Sequence, residues 1–569
     1  KNDMEEPTRL HRTPRDLPER ADHREIYKLK TLDISGELAC ETIPAILARQ
    51  AAERPDALHA IFPHRTLTFG ELDRQARLWA RAFAAQGLEP GDHIATLMPN
   101  CPEWLPVYYG ALHFGAVPVV LNARYKRQEL AYTLAHSRSK LLVTTTSIED
   151  HVDFVALLRD VLTVIAGQDA AQLQIDAAPD LRAVVLCEGD GADGFLGEAA
   201  FLDRGKEVSE NVAMAGGRDA RIDDTSAIIY TSGTTSSPKG CELTHASVQN
   251  SWSTFSRIVD LAAGETVWMP MPFFHTGGIG PMTAMLDKGA AFITQAHYEP
   301  EPIVELIERH ETEHLYPGFP QLSFGVIEHP KFDRERFKHV RSLLNVGPPA
   351  MQKKIQDLLP DGAVLLNLFG MTEGSGIVTF TPFDAPFPVR AETSGLPPPH
   401  TQVRIIDPES GQPCPDGTPG ELQFRGGGAF KSYYADPEAT AATILADGWV
   451  RTGDRGRIDE NGFLVFLGRI KDMLKVGGEN VAAAEIEAFI QGLPGVQLVQ
   501  VIGMADDRMG EVPVAFIEPS GGAELSAQGI IEACDGQLAR WKIPRRVEFV
   551  SEWPMSATKV QKFRLAELL

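Results

Sequence analysis

Short apolar runs, each about the length of one strand, recur along the first half of this chain with helix-patterned segments between them. HIATLMPN, AVPVVLN and KLLVTT are three of these runs. A strand that is apolar on both sides of its alternation needs both faces covered, as in a parallel sheet flanked by helices. The intervening segments carry the spacing of amphipathic helices. IPAILARQAAERPD stops at Pro55, and TLTFGELDRQARLWARAFAAQGLEPGD reads as a strand, a helix starting near Thr68 and a terminating Gly87. Strand and helix in alternation give α/β layers with largely parallel sheets. At 569 residues the chain exceeds what one hydrophobic core supports, so more than one domain is expected.

After Leu396 the character changes. VRIID, GELQFRG, GRID and FLVFLG are short strands divided by turns, with DENG at 459–462 as a hairpin turn. GRIKD then gives way to KVGGENVAAAEIEAFIQGLPGV, where Ile486, Phe489, Ile490 and Leu493 share one helical face. The domain boundary falls between residues 470 and 471. The expected organisation is a charged, loosely ordered extension over 1–40, a large N-terminal domain of layered sheets and helices over 41–470, and a small α+β C-terminal domain over 471–569. Residues 147–224 are weaker in pattern and read as a surface excursion.

Charge and cysteine usage exclude several classes. A formal net charge of -23 repels nucleic-acid backbone and acidic membrane. The six cysteines are scattered with no CxxC pair, as expected of reduced thiols in a cytoplasmic protein. No apolar run approaches the ~18 residues that span a bilayer, and the N-terminal KNDMEEPTRLHRTPRDLPER has no apolar signal-peptide core. No pattern fixes an oligomeric state.

YTSGTTSSPKG at 230–240 follows a plausible buried strand at 227–230. Its hydroxyls and backbone N–H groups can wrap phosphate oxygens, Gly233 permits close approach, and Lys239 adds charge. It is not the GxxxxGK[ST] nucleotide loop. On this segment alone, a phosphate cradle and a Ser/Thr-rich surface turn are both open.

Downstream come NLFGMTE at 367–373, WVRTGD at 449–454, GRIKDMLKVGGENVAAAEIE, and EWPMSATKVQKF near the C-terminus. In this order they resemble the adenylate-forming superfamily of acyl-CoA synthetases, luciferases and peptide-synthetase adenylation domains. The resemblance runs from about Thr42 to Leu569. It implies that a carboxylate attacks the α-phosphorus of ATP, giving acyl-AMP and pyrophosphate, and that coenzyme A then takes the acyl group. Catalysis of this kind is mostly positioning and electrostatics.

The resemblance also implies roles. Thr231, Ser232, Gly233, Thr234, Thr235 and Lys239 would hold the β and γ phosphates. Glu373 would help to hold Mg²⁺, as a carboxylate suits a hard cation, and Thr372 would bond the α-phosphate. Phe369 would lie near adenine in a pocket shared with Asn367, Leu368, Gly370 and Met371, with Gly347 as a wall. Asp454 would accept hydrogen bonds from the ribose hydroxyls, with Arg469 assisting. Lys471 matches a hinge about which the small domain moves, with Asp472 as the competing assignment. Gly477 and Gly478 would lie near the thiol of coenzyme A. Lys559 would bridge the α-phosphate and the carboxylate, with Lys562 as a competitor. Each of these has a plainer reading as a core, turn or surface residue. Two departures from the family pattern stand out: Thr558 precedes Lys559 where glycine is usual, and Ser236 replaces a glycine in the phosphate loop.

The acid is expected between residues 269–282 (MPMPFFHTGGIGPM) and the GMTEG segment. There His275, Thr276, Gly277 and Gly278 would line its pocket, His275 sitting near the carboxylate, and Gly277, Gly278 and Gly280 would leave room for a bulky apolar acid. HETEH at 310–314 matches the zinc-protease pattern HExxH. The reading adopted is an ATP- and Mg²⁺-dependent carboxylate–CoA ligase acting on a medium-chain or aromatic acid. The alternatives are an acyl-AMP ligase feeding a carrier protein, a zinc hydrolase using HETEH, and a non-catalytic nucleotide-binding relative. No carrier-protein segment follows Leu569, which makes free coenzyme A the simpler acceptor.

Overall fold

The buried apolar runs pair into two large, mainly parallel sheets. The computed structural model describes residues 30–163, 165–188, 191–231, 238–476, 479–506, 508–535, 537–555 and 560–569. One sheet has eight strands in the spatial order Ser432–Tyr433, Lys239–Thr244, Thr225–Thr231, Val117–Val120, His93–Leu97, Leu141–Thr145, Ala183–Cys187 and Leu196–Gly197. From Thr225–Thr231 to Leu196–Gly197 every neighbouring pair is parallel. Lys239–Thr244 folds back on Thr225–Thr231 as a hairpin, and Ser432–Tyr433 adds antiparallel to it.

The second sheet has seven strands: Val364–Leu366, Ser342–Asn345, His314–Gly318, Thr266–Trp268, Ala291–Ile293, Leu58–Ile61 and Thr66–Thr68. All neighbours are parallel except the last pair. Helices cover the sheets. Phe69–Ala85 starts at a capping box: Thr68 Oγ1 accepts from the Glu71 N–H (3.2 Å) and Glu71 accepts from the Thr68 N–H (3.0 Å). It packs on Trp104–Phe114, whose residues are all buried. A Cβ at Gly110 would lie 2.6 Å from Trp79 Cβ, so only glycine lets these two helices come this close.

The strands expected after Leu396 form a four-stranded antiparallel sheet: Thr401–Ile406, Gly420–Gly426, Val450–Ile458 and Leu464–Arg469. The DENG turn closes with the Gly462 N–H on the Asp459 carbonyl (3.0 Å) and Gly462 at φ +86. A fifth sheet holds Glu479–Ala482, Met473–Val476, Gly510–Pro519 and Val496–Asp506, with Arg546–Phe549 beside Gly510–Pro519. Helix Ala483–Gln491 lies on it through Ile486 and Ile490, with Phe489 and Leu493 half-buried on the same core. The fold is α/β, with a large N-terminal domain and a smaller C-terminal one.

Two expectations are corrected. Residues 147–224 are not a surface excursion, because Ala183–Cys187 is a fully buried strand paired along its length with Leu141–Thr145. Its low contrast with the surrounding Asp- and Gly-rich sequence hid it. Of the expected 1–40 extension, residues 1–29 lie outside the described residues, and 30–40 are tied down. Leu32 is 2% exposed and its N–H bonds the Pro397 carbonyl (3.0 Å). The Ala39 N–H bonds Asn250 Oδ1 (2.8 Å), and the Arg257 guanidinium bonds the carbonyls of Ser35 and Glu37. These partners lie more than 200 residues away, beyond the reach of local patterning.

Candidate functional site

YTSGTTSSPKG bridges two strands of the eight-stranded sheet. Thr231 ends one and Lys239 begins the next, directly opposite each other, with Thr231 Oγ1 on the Lys239 carbonyl (3.4 Å). Ser232, Gly233, Thr234, Thr235 and Ser236 between them lie outside the described residues. The Lys239 ammonium stands 5.0 Å above the Tyr433 ring, within range of a cation–π attraction. Tyr433 sits opposite Cys241 in the edge strand, and its hydroxyl donates to Glu373 Oε1 (2.7 Å). Burial, and then the Glu373 charge, push the Tyr433 phenol far above its usual range, so it stays a neutral donor. The Phe430 N–H also bonds the Glu373 carbonyl (2.8 Å). Lys239 and Glu373, 134 positions apart by their numbers, thus meet across one tyrosine. Sequence reasoning missed Tyr433, since nothing in FKSYYAD marks the first tyrosine of the pair as a link. Cys241, fully buried, has its thiol held protonated by burial and then by Glu373.

Glu373 and Thr372 form a 3-10 turn after the strand Leu368–Met371, which pairs with Gly376–Phe380 as a tight hairpin. A Cβ at Gly370 would stand 1.8 Å from the Gly376 carbonyl oxygen, so the two chains touch there. The Asn367 side chain is spent on structure: its Nδ2 donates to the Thr393 carbonyl (3.0 Å) and its Oδ1 accepts from the Leu368 N–H (2.9 Å). Gly347 is half-buried beside Pro320 and Asn345. Phe369 is 7% exposed and stacks at 5.6 Å on Phe466, which is 43% exposed. Phe466 belongs to the strand Leu464–Arg469, whose Arg469 lies opposite Asp454 with Nε 3.8 Å from Oδ1. This hairpin therefore brings the expected ribose pair to the strand that carries Phe369.

The acid side is built on helix Thr276–Lys288, with His275 at its N-cap. The expectation that Gly278 and Gly280 leave room for the acid is corrected, because the chain itself fills that room. A Cβ at Gly278 would stand 2.1 Å from the Pro272 carbonyl oxygen, and one at Gly280 1.8 Å from Trp252 Nε1. Only at Gly277 are the neighbours side-chain ends, Met271 Cε at 3.1 Å and the Tyr316 hydroxyl at 3.2 Å. Trp252 is 1% exposed, donates from Nε1 to the Ser375 carbonyl (2.8 Å) and also presses on Gly376. It locks the acid-side helix to the turn that holds Thr372 and Glu373, another link without a local signal.

Three of the motifs leave parallel strands of the seven-stranded sheet at their carboxyl ends: 269–275 after Thr266–Trp268, Gly347 after Ser342–Asn345, and 367–371 after Val364–Leu366. The rim beyond the carboxyl ends of a parallel sheet is where ligands of α/β proteins sit. Lys559, Gly477 and Gly478 lie outside the described residues. Lys562, the competitor of Lys559, is held by Glu487 (2.6 Å). Lys471 lies in the 3-10 turn Ile470–Asp472, between the last strand of the four-stranded sheet and the first of the fifth.

The zinc alternative fails on geometry. The helix Pro300–Arg309 ends before HETEH, Glu311 turns at φ 47, and His314 opens a strand. His314 is 0% exposed, with Nδ1 on Ser342 Oγ (2.8 Å) and Nε2 taking the Arg341 guanidinium (2.8 Å). Its plainer reading as a solvated helix end is corrected by the same burial. Among the described residues no three His, Cys, Asp or Glu side chains converge to hold a metal ion. Among them, too, no helix is long and apolar enough to cross a membrane.

A layered α/β body in which Lys239 and Glu373 meet across Tyr433, followed by a smaller C-terminal domain, has the architecture of adenylate-forming enzymes. The family model for "AMP-binding enzyme" matches residues 47–434, and that for "AMP-binding enzyme C-terminal domain" matches 485–559. The chain belongs to the AMP-binding enzyme family. Feruloyl-CoA synthase of Amycolatopsis sp is 31% identical over 517 residues, covering 90% of this chain and 95% of its own. The mitochondrial medium-chain acyl-CoA ligase ACSF2 of Bos taurus is 29% identical over 553 residues, covering 93% and 88%. The ATP-bound crystal structure of MatB from Rhodopseudomonas palustris superposes with a TM-score of 0.78 at 27% identity, covering 93% of this chain and 99% of that one. The protein is an AMP-forming acid–thiol ligase: it activates a carboxylic acid with ATP as acyl-AMP and transfers the acyl group to coenzyme A.

Proposed function

We propose that the acid is medium-chain or aromatic and that the reaction is run by the residues gathered around Tyr433. The observation that carries this reading is the meeting of Lys239, Tyr433 and Glu373 beside the 231–239 loop. Lys239 and the loop, with Thr231 at its base, hold the β and γ phosphates of ATP. Thr372 bonds the α-phosphate. Phe369, beside Gly347, Leu368, Gly370 and Met371, forms the adenine pocket, and Asp454 with Arg469 binds the ribose. The Tyr433 hydroxyl holds one oxygen of Glu373, which turns the carboxylate towards the nucleotide.

A single carboxylate beside a phosphate cradle fits Mg²⁺, whose other ligands are phosphate oxygens and water. When bound at Glu373, Mg²⁺ would neutralise charge on the leaving pyrophosphate. Every other element of the step belongs to the chain. His275 orients the substrate carboxylate, Lys559 bridges it to the α-phosphate, and the acyl–phosphate bond forms as the α–β bond breaks. Gly477 and Gly478 present bare backbone to coenzyme A after the C-terminal domain, taken as residues 471–569, moves about Lys471. A switch of sheet between Arg469 and Met473 supports that boundary.

The acid class is supported by the half-open Gly277 and by the names of the two relatives above. Six free cysteines, five of them buried, support a reducing compartment, the cytoplasm in the simplest case. Incubation with ATP, Mg²⁺, coenzyme A and a panel of acids should release pyrophosphate and yield acyl-CoA detectable by mass. Lys559→Ala should abolish the acid-dependent pyrophosphate release. Acyl-AMP accumulating without acyl-CoA would rule out coenzyme A as the acceptor.

A further inference from the structure

Four adjacent parallel strands end at the rim where the site lies, and three of them are followed by motifs already assigned to it. The fourth, His314–Gly318, runs between Thr266–Trp268 and Ser342–Asn345. It carries Tyr316 at its middle position. Tyr316 is 6% exposed, and its ring leans on Trp252 (5.6 Å) and Phe255 (6.2 Å). Its hydroxyl points at Gly277, the one glycine of the acid-side helix walled by flexible side-chain ends, and stands 3.2 Å from where a Gly277 Cβ would be.

That hydroxyl has no hydrogen-bond partner among the described residues, and burial alone pushes its ionisation above the usual phenol range. A phenol kept neutral in an apolar niche is a donor at every working pH. Unlike the hydroxyls of Tyr108 and Tyr109, this one is not fully enclosed by the chain, so a ligand atom can reach it and accept from it. The surroundings explain why nothing in the chain does so: Met271, Trp252 and Phe255 are weak acceptors or none, and Gly277 has no side chain to offer.

We infer that Tyr316 is a specificity residue of the acid pocket, donating a hydrogen bond to an oxygen substituent of the substrate. The acid then belongs to the oxygen-bearing class, such as a hydroxy- or methoxy-aryl acid or an oxo or hydroxy aliphatic acid, in preference to a plain hydrocarbon of the same shape. Gly277 is the companion feature, since a methyl group there would fill the gap between the Tyr316 hydroxyl and Met271 Cε. A polar site of this kind discriminates, because an analogue lacking the acceptor forgoes this hydrogen bond. This inference rests on the acid-pocket reading above.

The test compares kcat/KM for shape-matched pairs of acids, methoxy against ethyl and hydroxy against methyl, on aryl and aliphatic frames. The wild type should favour the oxygen-bearing member of at least one pair by about tenfold or more, the factor that 1.4 kcal/mol gives. In Tyr316→Phe, which keeps the ring against Trp252, the preference should collapse towards one. In Gly277→Ala the favoured acid should lose more than a short unsubstituted acid does. A wild type that turns over acids with no such preference would overturn the inference and leave the ligase standing. So would a Tyr316→Phe that keeps the preference, or one that slows both members of each pair equally. Failure of every acid to release pyrophosphate would instead strike the underlying reading.

Discussion

Tyr433 joins two charges, Lys239 and Glu373, that stand 134 positions apart by their numbers. Its hydroxyl holds Glu373 and its ring lies under Lys239, so one side chain sets both the carboxylate and the ammonium. Tyr433→Phe removes only the hydrogen bond. A hydrogen bond to a charged group contributes about 1.5 kcal/mol or more, so the apparent affinity for MgATP should fall about tenfold. Pyrophosphate-release kinetics and a direct nucleotide titration by fluorescence should agree on that factor. An unchanged affinity would show that Glu373 holds its pose without Tyr433. Lys239 and Glu373 were legible as single residues, because family-like motifs surround each. Tyr433 was not, because its value lies in two partners that the sequence does not place beside it.

At the scale of the element, the turns between strands matter more than the strands. The turn Ile470–Asp472 is a single 3-10 turn between the strands Leu464–Arg469 and Met473–Val476. Proline at 471 would fix φ and remove an N–H at the proposed hinge of the second domain. Lys471→Pro should spare acyl-AMP formation and slow thioester formation by about 100-fold, the scale of loss that misplacing reactants brings. The two half-reactions, followed separately by pyrophosphate release and by acyl-CoA mass, decide the matter. Equal loss in both would remove the hinge assignment. Most helices and strands were well marked: Thr68 announced one helix start, and DENG announced one hairpin. HETEH shows the opposite case. Its spacing suited a helix, yet the chain breaks at Glu311, because His314 is needed in the buried strand that Ser342 and Arg341 satisfy.

For the whole molecule, burial of neutral histidines ties stability to pH. His59 and His245 are buried, and loss of solvation lowers each to about 4. His59 Nδ1 meets the Ala290 carbonyl (3.1 Å), and His245 Nδ1 accepts from the Ile43 N–H (3.2 Å). In the unfolded chain both titrate near the ordinary value of 6.5. Between that value and about 4 the unfolded state therefore binds more protons than the native one, and stability falls as pH falls. The expected slope is about 1.4 kcal/mol per pH unit for each histidine. The thermal midpoint should drop steadily from pH 7 to 5.5, and a flat midpoint across that window would contradict the burial of these two neutral rings.

The sequence by itself determined the α/β class, the order of the two domains and the motifs that mark the family. Local rules suffice for these, since periodicity, capping and turn chemistry act within a few residues. The tertiary structure alone decided which glycines make space and which are filled by the chain. Gly278 and Gly280 look like Gly277 in HTGGIG, yet Pro272 and Trp252 occupy their room. It alone brought Tyr433 to Glu373, Trp252 to Ser375 and Tyr316 to Gly277. Each of these contacts joins residues far apart in the chain, and close packing of side chains, which no local pattern encodes, is what selects them.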